Sequence, residues 1–159
     1  MRPGVDGREG FNPCVRDKKR EMEPLYTASA VSTGDGRNGH VETTDQMIVT
    51  DVRTPTEMGG PGGATNPEQL FAAGYAACFH SALRSVAKKA DADSDGTEVV
   101  ADVSIGDNGE GGMMLAVQLE VTMPNVPREQ AQEFVEKAHQ VCPYSNATRG
   151  NIEVKLSVA

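Results

Sequence analysis

No apolar run in the 159-residue chain approaches the roughly 18 residues that a membrane-spanning helix needs. The opening residues, Met1-Arg2-Pro3-Gly4-Val5-Asp6, lack the apolar segment of a secretory signal, so the expectation is a cytoplasmic protein. Cysteine is scarce and odd in number: Cys14, Cys78 and Cys142 do not make a disulfide framework. In a reducing compartment such thiols are buried filler, metal ligands or reactive groups. Basic residues are also scarce, 15 against 23 acidic. Six of the bases and only four of the acids fall in residues 1–21, which leaves nine against nineteen, a net of −10, from Met22 onward. A surface that acidic repels phosphate backbones and anionic lipid, which argues against nucleic-acid and membrane-surface binding. The length itself holds one domain and excludes a large multidomain enzyme.

What is present has a clear order. Residues 1–21 mix Gly, Pro and alternating charge without apolar periodicity and read as a disordered N-terminal extension, with residues 22–159 as the folded domain. Leu25 to Val31 reads as a strand, Gly34 to Gly39 as a turn with Arg37 at its tip, and His40 to Thr43 as the returning strand, because Asn-Gly is a strong hairpin signal. A strand over Met47–Val52 leads into Gly59-Gly60-Pro61-Gly62-Gly63, a candidate lid or pocket rim. Thr65-Asn66-Pro67-Glu68 is a helix start: a capping Asn or Thr, proline at the first position and an acid in the first turn. That helix is expected to reach about Ala90. Its first half, Leu70 to Phe79, is apolar on every side and is expected to be buried on every side. Strands over Thr97–Ile105 and Met113–Met123, a helix from Pro127 to Val141, a compact turn over Cys142–Arg149 and a strand over Ile152–Val158 complete an α+β fold with antiparallel sheets around a buried central helix.

Few residues carry chemistry. Cys78, mid-helix, is either a small core hydrophobe or a reactive thiol. The reactive reading needs a cation, because lowering a thiol pKa by three units takes about 4 kcal/mol of preferential interaction with the thiolate. Cys142-Pro143-Tyr144-Ser145 spells a glutaredoxin-like site, but there the cysteine opens a long helix, whereas here a helix-period segment precedes it. On its own Cys142 reads equally as a helix end before a helix-stopping proline. Cys78-x-His80 with His139-x-x-Cys142 suggests zinc. Residues two apart on a helix point about 200° apart, however, so such a site loses a ligand and no metal is expected. Asp91–Asp95 lacks the spacing of a calcium loop.

Two long segments, Asn66-Pro67-Glu68-Gln69-Leu70-Phe71-Ala72-Ala73-Gly74-Tyr75-Ala76-Ala77-Cys78-Phe79 and Ala138-His139-Gln140-Val141-Cys142-Pro143-Tyr144-Ser145-Asn146-Ala147-Thr148-Arg149-Gly150-Asn151, resemble the organic hydroperoxide resistance (Ohr) branch of the OsmC/Ohr superfamily. The likeness runs from about Leu25 to Val158. It implies a thiol peroxidase in oxidative-stress defence, with Cys78 as the attacking cysteine, Cys142 as the resolving one, and Glu68 and Arg37 as the other active-site residues. The family turn resembles Gly-Gly-Arg-Asp-Gly-Arg, where this chain has Asp35-Gly36-Arg37-Asn38-Gly39-His40. The resemblance further implies organic, lipid-type hydroperoxide substrates, no bound cofactor, and dihydrolipoyl groups of a lipoylated protein as external reductant. It also implies an intertwined homodimer. The competing reading is an OsmC-type stress-induced or small-molecule binding protein whose cysteines are structural and whose Gly-rich loop lines an apolar pocket.

Helix geometry bears on assembly independently. Glu68 and Cys78 are ten residues apart, about 15 Å along one straight helix and about 80° around it. If both serve one Arg37, either the helix breaks, with Gly74 the candidate, or Glu68 arrives from a second copy of the chain.

Overall fold

The computed structural model describes residues 22–159. The expected extension over 1–21, with Cys14, lies outside the described residues. The first sheet is antiparallel, in the order β1 (Ala30–Thr33), β2 (His40–Thr43), β3 (Val49–Asp51). Its strands are shorter than the alternation suggested. Leu25 to Ser29 and Met47–Ile48 have side chains suited to strands but pair with no strand among the described residues. The β1–β2 turn contains a single helical turn over Gly36–Asn38. Gly39 closes it where a Cβ would collide with the Thr33 carbonyl, so a larger residue there would open the hairpin.

Helix α1 (Pro67–Lys89) begins as its sequence dictates: the Gln69 N–H donates to Asn66 Oδ1 at 2.9 Å, Pro67 occupies the first turn, and Lys88 and Lys89 sit at the negative end of the dipole. It is unbroken through Gly74. That glycine serves close packing instead, since a Cβ would stand 2.9 Å from the Tyr144 hydroxyl oxygen. The helix is not buried on every side within one chain. Tyr75, Phe79, Leu83 and Ala87, spaced by four, form the buried stripe, while Ala73, Ala77 and Ser81 on another face are exposed.

The second sheet carries the core. Its order is β4 (Glu98–Asp107), β5 (Met113–Thr122), β6 (Val154–Val158). Val117, Leu119 and Val121 alternate inward from β5 and meet the α1 stripe together with Phe134, Val135 and Ala138 of α2 (Arg128–Val141). Each large aliphatic or aromatic side chain so buried contributes about 1.5–3 kcal/mol. One pairing departs from the antiparallel expectation: β6 runs parallel to β5, from Val117↔Val154 to Val121↔Val158. The reason is connection length, because the chain between them is spent on α2 and a short α3 (Pro143–Thr148), the kind of crossover a parallel return requires. That α3 replaces the expected compact turn. None of the helices is long and apolar enough to cross a membrane among the described residues.

The first sheet stands apart from this core and is tied to it at the start of α1. Val52 bridges Thr65, and the Arg53 N–H donates to the Thr65 carbonyl at 2.8 Å. Removing the cap that fixes this end, by Asn66→Ala, is expected to lower stability by about 1 kcal/mol. A fall in the urea midpoint at constant slope is the outcome that checks it.

Candidate active site

Arg37 and Glu68 are brought together from the first hairpin and the first turn of α1. The guanidinium donates from Nη1 to Glu68 Oε2 at 2.9 Å and from Nη2 to Oε1 at 2.8 Å, a two-point fork. Glu68 is mostly shielded, at 12% side-chain exposure, and Arg37 is 40% exposed. Hydrogen bonding to Arg37 holds the Glu68 carboxyl below its usual range, against the opposing effect of burial. The turn itself is anchored on the neighbouring strand's continuation. Asn38 Oδ1 accepts from the Thr54 N–H at 2.9 Å, and Arg53 Nη1 donates to the Gly39 carbonyl at 2.9 Å. His40 Nδ1 lies 2.8 Å from Asp51 Oδ1 across β2 and β3. Of the three departures from the family turn, Asp35, Asn38 and His40, the last two have side-chain partners in this chain.

Cys78 and Cys142 are also brought together. Cys142, fully buried at the joint between α2 and α3, has its Sγ 3.6 Å from that of Cys78, in contact and about 1.5 Å beyond bonding distance. Both are free thiols. Burial pushes the Cys78 thiol above its usual range, the backbone N–H of Tyr144 pulls it down, and the Cys142 thiol pushes it further up. Among the described residues no cation acts on it. Arg149, just past α3, donates to the His139 carbonyl at 2.7 Å.

Within one chain the two pairs do not meet. Glu68 and Cys78 sit on the same unbroken helix, so the Arg37 fork is anchored about 15 Å up the axis from the thiol. The kink at Gly74 that would have joined them is absent.

A cleft of about 940 Å³ opens beside the fork. Arg37 and Glu68 line it together with an apolar wall that includes Phe71, Ile105, Met113, Leu115 and Tyr144. The Gly59–Gly63 loop, expected as a rim, is not part of it. It folds back on Thr54, whose carbonyl accepts from the Gly62 N–H at 3.0 Å. The β4–β5 hairpin supplies the wall instead, a role its sequence did not signal because Met113 and Met114 read as strand packing. Also unsignalled was a buried group of hydroxyls, Tyr75, Ser145 and Thr148, between α1 and α3. Among the described residues no three His, Cys, Asp or Glu side chains converge to hold a metal ion.

The electrostatics of the fork give a test. A carboxyl whose folded pKa is depressed contributes stability above its unfolded value, near 4.5, and loses it as pH falls through the folded value. Because the pair is partly exposed, its contribution is held to about 0.2–1 kcal/mol by solvent screening. The unaltered chain should therefore lose its stability advantage over Glu68→Gln as pH falls from about 4.5 through the lower folded value. Parallel acid unfolding curves for the two would contradict this.

Comparison with known proteins bears on the same site. The family model described as OsmC-like protein matches residues 60–157. An organic hydroperoxide resistance protein of Xanthomonas axonopodis pv. citri is 50% identical over 137 residues, covering 85% of this chain and 95% of that protein. A crystal structure of an organic hydroperoxide resistance protein from Legionella pneumophila superposes with a TM-score of 0.82 at 51% identity, covering 86% of this chain and 99% of that one. A Vibrio cholerae structure, a putative organic hydroperoxide resistance protein with captopril bound in one of its active sites, gives 0.81 at 50% identity, covering 87% and 95%.

Proposed function

Since the chain belongs to the organic hydroperoxide resistance branch of the OsmC-like family, we propose that it is a thiol peroxidase that reduces organic hydroperoxides to alcohols in defence against oxidative stress. The observation that carries this reading is the contact between the two free thiols, Cys142 Sγ at 3.6 Å from Cys78 Sγ. The Cys78 thiolate attacks the outer peroxide oxygen, the O–O bond breaks, and the alkoxide leaves to take up a proton as alcohol. Cys78 is then a sulfenic acid. The Cys142 thiol condenses with it, expelling water and forming a disulfide. A dithiol of the dihydrolipoyl type, carried on a lipoylated protein in the cytoplasm, returns both cysteines to thiols. The cleft beside Arg37, walled by Phe71, Ile105 and Leu115, suits the apolar body of a lipid-type hydroperoxide.

The chemistry requires a cation at Cys78, and the fork of the same chain is out of reach. The reading is therefore that two chains form an intertwined homodimer, and that Arg37 and Glu68 of one serve Cys78 of the other. Three features support it. The small-residue face of α1, with Ala73 and Ala77, is uncovered, where small side chains let two helices approach closely. Leu25, Tyr26, Met47 and Ile48 around the first sheet are exposed apolar surface that a monomer rarely keeps. Register adds the third: for antiparallel helices to face residue 68 of one against 78 of the other, the two-fold axis must pass at the midpoint, residue 73, which is an exposed alanine.

Two predictions follow from this arrangement. Cys78→Ser should abolish reduction of cumene hydroperoxide, whereas Cys142→Ser should still consume one equivalent, because only the attacking sulfur is needed for the first displacement. Equal loss of that first turnover in both variants would remove the role assignment. Ala73→Glu sets two carboxylates on the axis and should yield monomers whose Cys78 alkylates only at higher pH, the same shift expected of Arg37→Ala in an intact dimer. Sedimentation of Ala73→Glu as a dimer, or a folded and fully active monomer of the unaltered chain at micromolar concentration, would defeat the shared site.

A further inference from the structure

Tyr75 lies one helical turn before Cys78 and is fully buried. Its hydroxyl is 2.9 Å from Ser145 Oγ and 3.0 Å from Thr148 Oγ1, both on α3 and both buried. Thr148 Oγ1 in turn donates to the Tyr144 carbonyl at 3.0 Å, with the Ser145 carbonyl at 3.2 Å. One assignment of protons uses every donor: Ser145 to Tyr75, Tyr75 to Thr148, Thr148 to the Tyr144 carbonyl. No hydroxyl is left unpaired, and such a chain strengthens each bond in it. The ring is held as well, edge-on to Phe71 at 5.9 Å and tilted against Tyr144 at 5.6 Å.

The position of this latch matters because of what α3 carries. Cys142 immediately precedes α3, with its N–H bonded to the Ala138 carbonyl at 2.8 Å and its carbonyl accepting from the Asn146 N–H at 2.9 Å. Tyr144, in the first turn of α3, presents its N–H to Cys78. Where α3 docks on α1 thus sets both the distance between the two sulfurs and the backbone donor on the attacking one. Of all contacts between α1 and α3, the buried hydroxyl bonds are the directional ones, and an unpaired member would leave a buried polar atom uncompensated.

We propose that Tyr75, through Ser145 and Thr148, is a positioning residue for the second step of the cycle: it holds Cys142 where it captures the Cys78 sulfenic acid before another peroxide does. The inference rests on the peroxidase reading above. A sulfenic acid that is not captured is oxidised by a second hydroperoxide, which gives up its outer oxygen and leaves as alcohol, to a sulfinic acid that the disulfide cycle does not recover. The latch is therefore also what protects the enzyme from its own substrate.

The test separates the two steps in the full-length chain by rapid mixing with cumene hydroperoxide, following sulfenic acid trapping, disulfide formation and sulfinic acid by mass. Tyr75→Phe keeps the ring and removes the hydroxyl. It should slow disulfide formation about ten-fold or more beyond any effect on the first displacement, as misplacement of a reacting group by a fraction of an ångström to an ångström does. Sulfinic Cys78 should correspondingly appear at lower peroxide excess. Thr148→Val, isosteric and without the hydroxyl, should act in the same direction, and Thr148→Ser should restore the unaltered ratio of the two rates. Equal slowing of both steps, a defect in Thr148→Ser as large as in Thr148→Val, or unchanged disulfide formation in folded Tyr75→Phe would overturn the latch. Failure of the unaltered chain to form any Cys78–Cys142 disulfide would instead remove the peroxidase reading beneath it.

Discussion

The rigidity of α1 is the constraint on which the rest depends. A 23-residue helix without a break fixes Glu68 and Cys78 about 15 Å apart, and nothing in the side chains can shorten that distance. The carboxylate binds the arginine at one end, and the thiol contacts its partner sulfur further down. Each half is well formed, and each lacks what the other supplies. A half-buried thiol without a cation is pushed toward its protonated form, which is the wrong direction for a nucleophile. The same helix leaves an alanine face open at the point where a second copy would bring the missing half within reach.

The fork ties the hairpin of the first sheet to the first turn of α1. Among the described residues the Val52–Thr65 bridge and the Arg53–Thr65 hydrogen bond also join the β1–β3 sheet to the rest, and like the fork they fall at the N-terminal end of α1. Placing the arginine on a hairpin so lightly anchored gives it a position set by Glu68, Asn38 and Arg53 rather than by core packing. The thiol half has the opposite character. Cys142 is enclosed by the core, and its helix is held to α1 by hydroxyls that are themselves fully buried. Under the proposed function, a loosely tied cation from one copy and a tightly held sulfur of the other would suit a cycle in which substrate enters past the first and the oxidised thiol is captured by the second.

Much of this was legible from residue order. Asn66, Pro67 and Glu68 announced the start of α1, because capping is a local interaction between residues three apart. The alternation in β4 and β5 and the apolar period of α2 announced the core, because burial on one face has a period that sequence carries directly. Arg37 and Glu68, and Cys78 and Cys142, are indicated as site residues only through the family resemblance, since by themselves the two cysteines read equally as core or helix-end residues. Less legible were the parallel return of β6 and the wall of the cleft. Strand direction follows from where a crossover lands, and Met113 reads the same whether it fills a core or faces a cavity.

What the sequence determined by itself was therefore everything whose cause lies within a few residues: the caps, the periods, the hairpin turn, and the ten-residue spacing that forbids one helix from holding a whole site. What only the tertiary structure decided was which long-range groups meet. Gly74 looked like a break and proves to be the space that admits the Tyr144 ring. Tyr75 stands 70 residues before Ser145 and 73 before Thr148. Their convergence follows from the docking of α3 on α1, and a hydrogen bond between side chains so distant in sequence leaves no periodic or local trace by which it could be read beforehand.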